Sequence, residues 1–331
     1  MSQYLIDTNT YNPWQNLAAE AYLSTLIKKG DIILYLWQNE HTVVIGRNQN
    51  ALRECRAQLL EQDGGFLARR TTGGGAVYHD LGNLNFTFLA SPELYDLEKQ
   101  LLVIERACEK FGIKTQFSGR NDIVTEDGYK FSGNAFSFGK QCKIQHGTIM
   151  IDVDVDKLGK YLTPSVKKME SKGVKSVRSR VCSLVKYNDS LTVADMRKAL
   201  AEAFCELYGD YEVLSADILE CEEVKATYDK YSSWDWRYGK SPACEITHIK
   251  QFSWGSVEAQ MKLNQMTIEA IKLFSDAMNV EFPPKMEQYL LGKRYDMKDV
   301  DLEQDKDTFS AEEKEQALDV IEWLRDVFME G

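Results

Sequence analysis

None of the seven cysteines, at 55, 108, 142, 182, 205, 221 and 244, forms a C-x-x-C pair, and their odd number leaves one over. That usage predicts a reduced, intracellular protein without a disulfide frame. Histidine is scarce too: His41, His79, His146 and His248 lie too far apart for metal-ligand spacing. Long apolar runs are missing, since the longest, residues 32–37, is far too short to cross a bilayer. Residues 1–7 lack the basic start and apolar run of an export signal, so a cytoplasmic location away from membranes is expected. Positive charge is in deficit, with 40 Lys+Arg against 51 Asp+Glu and a formal net charge of −11, which argues against a protein that wraps nucleic acid. Any anion site must therefore be local. What remains, 44% hydrophobic and 27% charged residues over 331 positions without internal repeats, describes a globular chain long enough for two domains.

Against that background the stretch Arg69-Arg70-Thr71-Thr72-Gly73-Gly74-Gly75-Ala76-Val77-Tyr78-His79-Asp80 stands out. Three successive glycines raise the entropic cost of folding and bury no side chain, so bare backbone is expected to be needed there. Two arginines add fixed positive charge, and the N–H groups of such a turn can form a concave site for phosphate or carboxylate. A tight hairpin that uses glycine for its geometry alone explains the triplet equally well. No Lys-Ser or Lys-Thr follows at the spacing of a Walker A loop, and the G-x-G-x-x-G spacing of a dinucleotide fingerprint is absent.

Periodicity organises the rest. A helix is expected over 16–29, capped by Asn16 and stopped by Gly30, followed by strands at 32–37, 42–45, 66–70 and 84–90. A second helix covers 94–111, and Asp127-Gly128 signals a hairpin that presents Lys130 at the start of a returning strand, 130–138. A strand over 143–153 and a helix over 155–161 lead into residues 167–180, which hold six cationic residues and one acid. That segment reads either as a solvated loop or as a phosphate-facing or partner-facing one. Helices at 192–208 and 217–230 precede an aromatic boundary stretch, 232–242. Beyond it strands at 245–254 and 257–263, a helix at 266–278, a helix from Lys285 after Pro283-Pro284 and a final helix capped by Ser310 are expected. The pattern predicts an α+β fold, with a large domain of mixed and antiparallel sheets flanked by helices, 1–243, and a small α+β domain, 244–331.

Several motifs share an order with one known family. Residues 69–83, Ile45-Gly46-Arg47-Asn48-Gln49-Asn50, Ser118-Gly119-Arg120-Asn121-Asp122, Lys130-Phe131-Ser132-Gly133-Asn134-Ala135, His146-Gly147-Thr148 and Ser176-Val177-Arg178-Ser179-Arg180 together resemble the lipoate–protein ligase A family. The resemblance extends to Asn12-Pro13-Trp14-Gln15-Asn16-Leu17-Ala18, to Trp234-Asp235-Trp236 and to Phe252-Ser253-Trp254-Gly255, and so covers nearly the whole chain. It implies a two-step reaction, in which lipoate and ATP give lipoyl-AMP and pyrophosphate, and a lysine of an acceptor lipoyl domain then takes the acyl group. It also implies a catalytic domain related to biotin protein ligases with a small accessory domain, ATP with Mg²⁺ and lipoate as ligands, and no tightly bound prosthetic group. The implied acceptors are the lipoyl domains of 2-oxoacid dehydrogenase E2 subunits and the glycine cleavage H protein, served by a monomer.

Residue by residue, the resemblance gives Lys130 the central role, touching both the acyl carbonyl and the α-phosphate. Arg70, Gly75, Ala76, Val77, Tyr78, Asn121, Asp122, Arg178 and Arg180 would hold ATP or the adenylate. Arg70, Gly73, Gly74, His79, Asn83 and His146 would hold lipoate, Asp122 would contact Mg²⁺, and 167–180 would be the family's mobile adenylate loop. On their own terms Lys130 is an exposed hairpin lysine, His79 a buried structural histidine and Asp122 a strand-end cap. Three departures are visible: Thr71 and Thr72 where many members have serine, a polar Asn85, and a short turn at 126–129. An ATP-independent octanoyl- or lipoyl-transferase on the same fold, with a cysteine thiolate, Cys142 or Cys182 being the candidates, or a lysine as its central group, is the alternative enzyme. A non-catalytic lipoyl-nucleotide binder is the alternative outside catalysis.

Overall fold

The structure is a computed structural model that describes residues 2–118, 121–163, 181–239, 246–302 and 308–330. The chain divides into two compact units, one of residues 1–45, 51–70 and 76–237, the other of 46–50, 71–75 and 238–331. The domain boundary expected at 243/244 lies outside the described residues. Among the described residues no helix is long and apolar enough to cross a membrane.

In the first unit the elements run β1 (Ser2–Asp7), α1 (Pro13–Leu26), β2 (Asp31–Trp37), β3 (Thr42–Ile45), α2 (Ala51–Glu54), α3 (Ala57–Gln62), β4 (Phe66–Arg69), β5 (Val77–His79) and β6 (Asn83–Ala90). They continue as α4 (Leu97–Glu109), β7 (Thr115–Ser118), β8 (Asp122–Thr125), β9 (Lys130–Phe138), β10 (Lys143–Met150), α5 (Val155–Tyr161), α6 (Val193–Tyr208), β11 (Glu212–Val213) and α7 (Glu222–Ser232), with a short α8 (Trp234–Tyr238) after them. Eight strands form one mixed sheet in the order β11-β1-β2-β6-β10-β9-β8-β7, and β4-β3-β5 form a second, small sheet. This is the α+β architecture the residue pattern predicts.

All of β6 is buried because both faces of the large sheet are covered. On one face Leu84, Phe86 and Phe88 join Ile32, Leu34 and Leu36 of β2 under α4 and α6. On the other, Leu89, Ile33, Tyr35, Trp37 and Ile144 pack against Leu17, Ala18 and Leu23 of α1. The alternation of a strand puts Asn83, Asn85 and Thr87 on this second face, so it turns polar toward one end while the first stays apolar. A doubly covered strand normally carries apolar residues throughout. Three buried polar ones in β6 therefore mark a site.

Helix α1 begins a turn earlier than its periodicity suggests. Asn12, not Asn16, is the cap, its side-chain oxygen accepting from the Trp14 and Gln15 N–H groups at 3.0 and 3.2 Å, with Pro13 in the first turn. Asn16 is buried inside the helix, where its amide donates to Gln38 O at 2.7 Å and Asn39 Oδ1 at 3.0 Å. The Asp127-Gly128 hairpin forms as expected, Gly128 taking φ 85° between the antiparallel β8 and β9. The helix expected over 217–230 is divided into a 3-10 turn, Ala216–Leu219, and α7. Ser215 caps the turn, its Oγ accepting from Asp217 N at 3.3 Å.

The second unit carries an antiparallel sheet, β12 (Ile246–Gln251), β13 (Ser256–Asn264) and β14 (Thr267–Ser275), with α9 (Phe282–Leu290) and α10 (Ala311–Glu330). Here the helix expected at 266–278 is corrected to the strand β14. Gln265 and Met266, at φ 47° and 69°, make a two-residue reversal that pairs Asn264 with Thr267, and no glycine or Asn-Gly announces it. Ile268, Ile271 and Leu273 then join the core of this unit. Ala270, Ile271, Phe274, Ala277 and Met278 recur at helical spacing, but the β-branched Thr267, Ile268 and Ile271 suit the sheet that receives them. Helix α10 opens with a reciprocal cap, Glu313 N to Ser310 Oγ at 3.3 Å and Ser310 N to Glu313 Oε2 at 2.9 Å.

Candidate active site

The polar face of β6 and β10 is built by register. Thr87 stands opposite His146, Asn85 opposite Thr148 and Asn83 opposite Met150, which puts all six side chains on one face. Glu20 of α1 meets this row from above, and at 2% exposure it is a carboxylate taken out of water. Its compensation is specific. Thr87 Oγ1 donates to Glu20 Oε2 at 2.7 Å, Trp37 Nε1 donates to Thr87 Oγ1 at 3.0 Å, and His146 Nδ1 lies 2.8 Å from the same Glu20 oxygen. Arg70, directly after β4, is buried as well. Burial pulls its pKa down to about 10 while the Glu20 carboxylate pushes back, so it keeps its charge at neutral pH.

His79, on β5, is held in one tautomer. Asn16 donates to Asn39 Oδ1, which leaves Asn39 Nδ2 as the donor to His79 Nδ1 at 3.1 Å and the ring proton on Nε2. That buried Nε2–H has no partner among the described residues. Burial, with help from the Arg70 and His146 charges, lowers the His79 pKa to about 3. The folded value lies below the ordinary one of 6.5, so this group's contribution to stability is complete above pH 6.5 and is lost as pH falls toward 3. Urea unfolding at pH 6.5 and pH 5 should therefore differ by about 2 kcal/mol through this group, and the difference should shrink in His79→Asn.

A further cation lies on the neighbouring strands. Lys130, the first residue of β9, pairs with Asp122 at 2.6 Å, both side chains about one-third exposed (34% and 37%). Asp122 stands opposite Gly133, and a Cβ built on Gly133 would lie 3.1 Å from Lys130 Nζ and 3.2 Å from Cε. Gly133 shares a face with Ala135, which pairs with His146. The ammonium thus crosses bare backbone on the same face as the polar row. Asn121 ties the two strands together: Asn134 N donates to Asn121 O at 2.7 Å, and Asn121 Nδ2 returns to Asn134 O at 2.9 Å. Gly133→Ala should leave the unfolding midpoint nearly unchanged, because the obstructing atoms are the tip of a flexible chain. The added methyl should displace the ammonium, an effect to be read from kcat at saturating substrate and not from stability.

Residues 12–205 match the lipoyl protein ligase A/B catalytic domain, and residues 241–324 the bacterial lipoate protein ligase C-terminus. The chain is 38% identical over 336 aligned positions to the lipoate-protein ligase A of Psychrobacter cryohalolentis, covering 98% of each. It belongs to the lipoate–protein ligase A family. Among solved structures, P. falciparum LipL1 in complex with lipoate matches at TM-score 0.85 and 30% identity over 98% of this chain and all of that one (100%). A lipoate-protein ligase A bound with ATP matches at TM-score 0.62 and 25% identity over 72% of this chain and 99% of that one.

The remaining residues that the family resemblance singles out are distributed as follows. Val77 and Tyr78 lie on β5 after Ala76, and Tyr78 stacks on Tyr161 with centroids 5.8 Å apart, its hydroxyl buried without a partner among the described residues. Asn83 donates to Asn85 Oδ1 at 3.0 Å, so the polar Asn85 organises the end of the row. Gly73, Gly74 and Gly75 group with the second unit. There Gly74 takes φ 89°, and a Cβ on Gly73 would strike the backbone of Ala277 and Met278, which gives those two glycines a structural reason to be bare. Arg178, Arg180 and the rest of the basic segment 167–180 lie outside the described residues. Cys142 and Cys182 are buried, and desolvation raises both thiol pKa values, that of Cys142 to about 12. Neither is an activated thiolate, which removes the support that a cysteine-based transferase needed.

A lone Asp122 beside Lys130 is not a metal cage, and among the described residues no group of three or more His, Cys, Asp or Glu could hold an ion. Mg²⁺ binds through one or two carboxylates when substrate phosphates supply further oxygens, and Asp122 fits that arrangement. Sequence reasoning overlooked Glu20, Thr87, Trp37 and Asn39, and it quoted Gly133 in a motif without giving it a role. One signal was available: Asn16 and Glu20 share the α1 stripe of Leu23 and Ile27, where polar residues need a reason.

Proposed function

We propose that this chain is an ATP-dependent lipoate–protein ligase that forms lipoyl-AMP and passes the lipoyl group to a lysine of a protein acceptor. The observation that carries the reading is the near full-length likeness to a lipoate-protein ligase A, 38% identical over 98% of both chains. In the first step a lipoate carboxylate oxygen attacks the α-phosphorus and pyrophosphate leaves with the bond electrons. In the second the acceptor amine attacks the acyl carbon and AMP leaves. Both steps gather negative charge at one place, and fixed donors in a partly dry site stabilise it most.

Lys130 is the group we assign to that charge in both steps. Arg70 and the His79 Nε2–H supply prearranged donors, and Asn83 and His146 line the acyl end. Ala76, Val77, Tyr78 and Asn121 border the nucleotide. Asp122 would hold Mg²⁺, which neutralises phosphate charge when bound. Backbone contact by Gly73, Gly74 and Gly75, and phosphate contact by Arg178 and Arg180, rest on the motif resemblance. We further assign catalysis to 1–243, an accessory role to 244–331 and a cytoplasmic, monomeric state. The acceptors proposed are E2 lipoyl domains and the glycine cleavage H protein. Neither nucleic acid nor membrane is among the proposed partners.

Exchange of labelled pyrophosphate into ATP tests the reading. Label should enter ATP only when lipoate and Mg²⁺ are present. No exchange, with transfer from synthetic lipoyl-AMP preserved, would instead identify a transferase.

A further inference from the structure

The segment Val181 to Tyr187 grips the Lys130 hairpin at two places. Cys182 N donates to Lys130 O at 2.9 Å, and Val181 bridges Lys130 in parallel register. On the turn side, Tyr187 OH donates to Asp127 Oδ1 at 2.6 Å, and Thr125 Oγ1 donates to the same oxygen at 2.6 Å. Thr125 in turn closes the hairpin: Tyr129 N donates to its hydroxyl at 3.2 Å, and its own N–H donates to Tyr129 O at 2.9 Å. Lys186 Nζ sits 3.8 Å from the Tyr129 ring centroid and 3.7 Å from Asp127 Oδ2. Five side chains therefore lock the turn end of a hairpin whose ladder has a register irregularity between Ile123 and Val124, where local twist is least fixed by backbone pairing. Lys130 is the next residue after the lock.

We propose that Tyr187 is a positioning residue of the adenylation step, which fixes the Lys130 ammonium by tying Asp127 at the hairpin turn to the 3-10 turn Leu184–Lys186. It touches no reacting atom. Its effect runs through the backbone entering β9, and it rests on the role assigned to Lys130 above. Loss of the hydroxyl leaves Asp127 with one strong donor fewer and lets the turn sample other twists, so the ammonium spends less time over Gly133. The charge that Lys130 meets is greatest in the transition state, so the effect belongs in kcat.

The test is pyrophosphate exchange with purified full-length Y187F, D127N, Y187F/D127N and K130A, beside lipoyl transfer from synthetic lipoyl-AMP. Tyr187 is 37% exposed, so the variants should keep the parent's circular dichroism and unfolding midpoint. The expected result is a fall of about tenfold in kcat for Y187F with both KM values within about twofold, the same for D127N, and a double variant no worse than either. Unchanged kcat in Y187F, a change confined to KM, or multiplying losses in the double variant would each overturn the proposal. If K130A loses exchange while Y187F keeps it, only the positioning role fails. If K130A keeps exchange, the assignment of Lys130 fails and the positioning role with it.

Discussion

Lys130→Met should reduce lipoate-dependent pyrophosphate exchange by about a thousandfold or more, about 4 kcal/mol of transition-state stabilisation, with little change in the thermal midpoint. The asymmetry follows from where the group sits. Its pair with Asp122 at 2.6 Å is one-third exposed on both sides, and such pairs contribute at most about 1 kcal/mol to folding. The same ammonium, facing two anions brought together, would be the main counter-charge for the pentavalent phosphorus. Lys130→Arg should recover little, because a planar fork cannot occupy the narrow space over Gly133 that a single ammonium fills. Near-normal exchange in Lys130→Met, measured at saturating ATP and lipoate, would show that another group carries the charge.

Arg70→Met should act on both fold and function. Arg70 and Glu20 are both buried and interact electrostatically, and losing a buried charged donor destabilises by about 1–3 kcal/mol, while Thr87 and His146 still satisfy the Glu20 carboxylate. The exchange rate per unit lipoate should fall at least about a hundredfold, as a desolvated donor is removed from the anion's side of the site. Adding Glu20→Gln to Arg70→Met should restore part of the stability by removing the buried negative charge that the guanidinium balances, yet leave the activity loss in place. Recovery of activity by the double variant would mean that Arg70 serves the fold alone. Chemical denaturation and exchange kinetics on the same three proteins separate these outcomes.

Local chemistry was legible wherever it acts through neighbours in the chain. The Asp127-Gly128 turn and the Ser310 cap of α10 both follow from side chains and backbone that act within four residues of themselves. Function was legible for a different reason: the motifs resemble those of one family in both residues and order. The strand β14 was not legible, because a two-residue turn at Gln265-Met266 without glycine left only a pattern that a helix also satisfies. Tertiary pairing with β13 decided between them.

By itself, then, the amino-acid sequence determined the α+β class and the ligase chemistry, and it singled out Arg70 and Lys130 as candidates to carry its charge. Only the tertiary structure decided which of them work together. Glu20, Thr87 and His146, up to 126 positions apart, meet on one sheet face because antiparallel register aligns β6 with β10 under α1. Gly133 matters because a strand pairing brings Lys130 across it, and Tyr187 because a segment 60 residues from Asp127 in sequence closes on the same hairpin. Burial and hydrogen-bond geometry are properties of the assembled fold. They turn a scattered set of polar residues into one prearranged field, and spacing along the chain carries no trace of them.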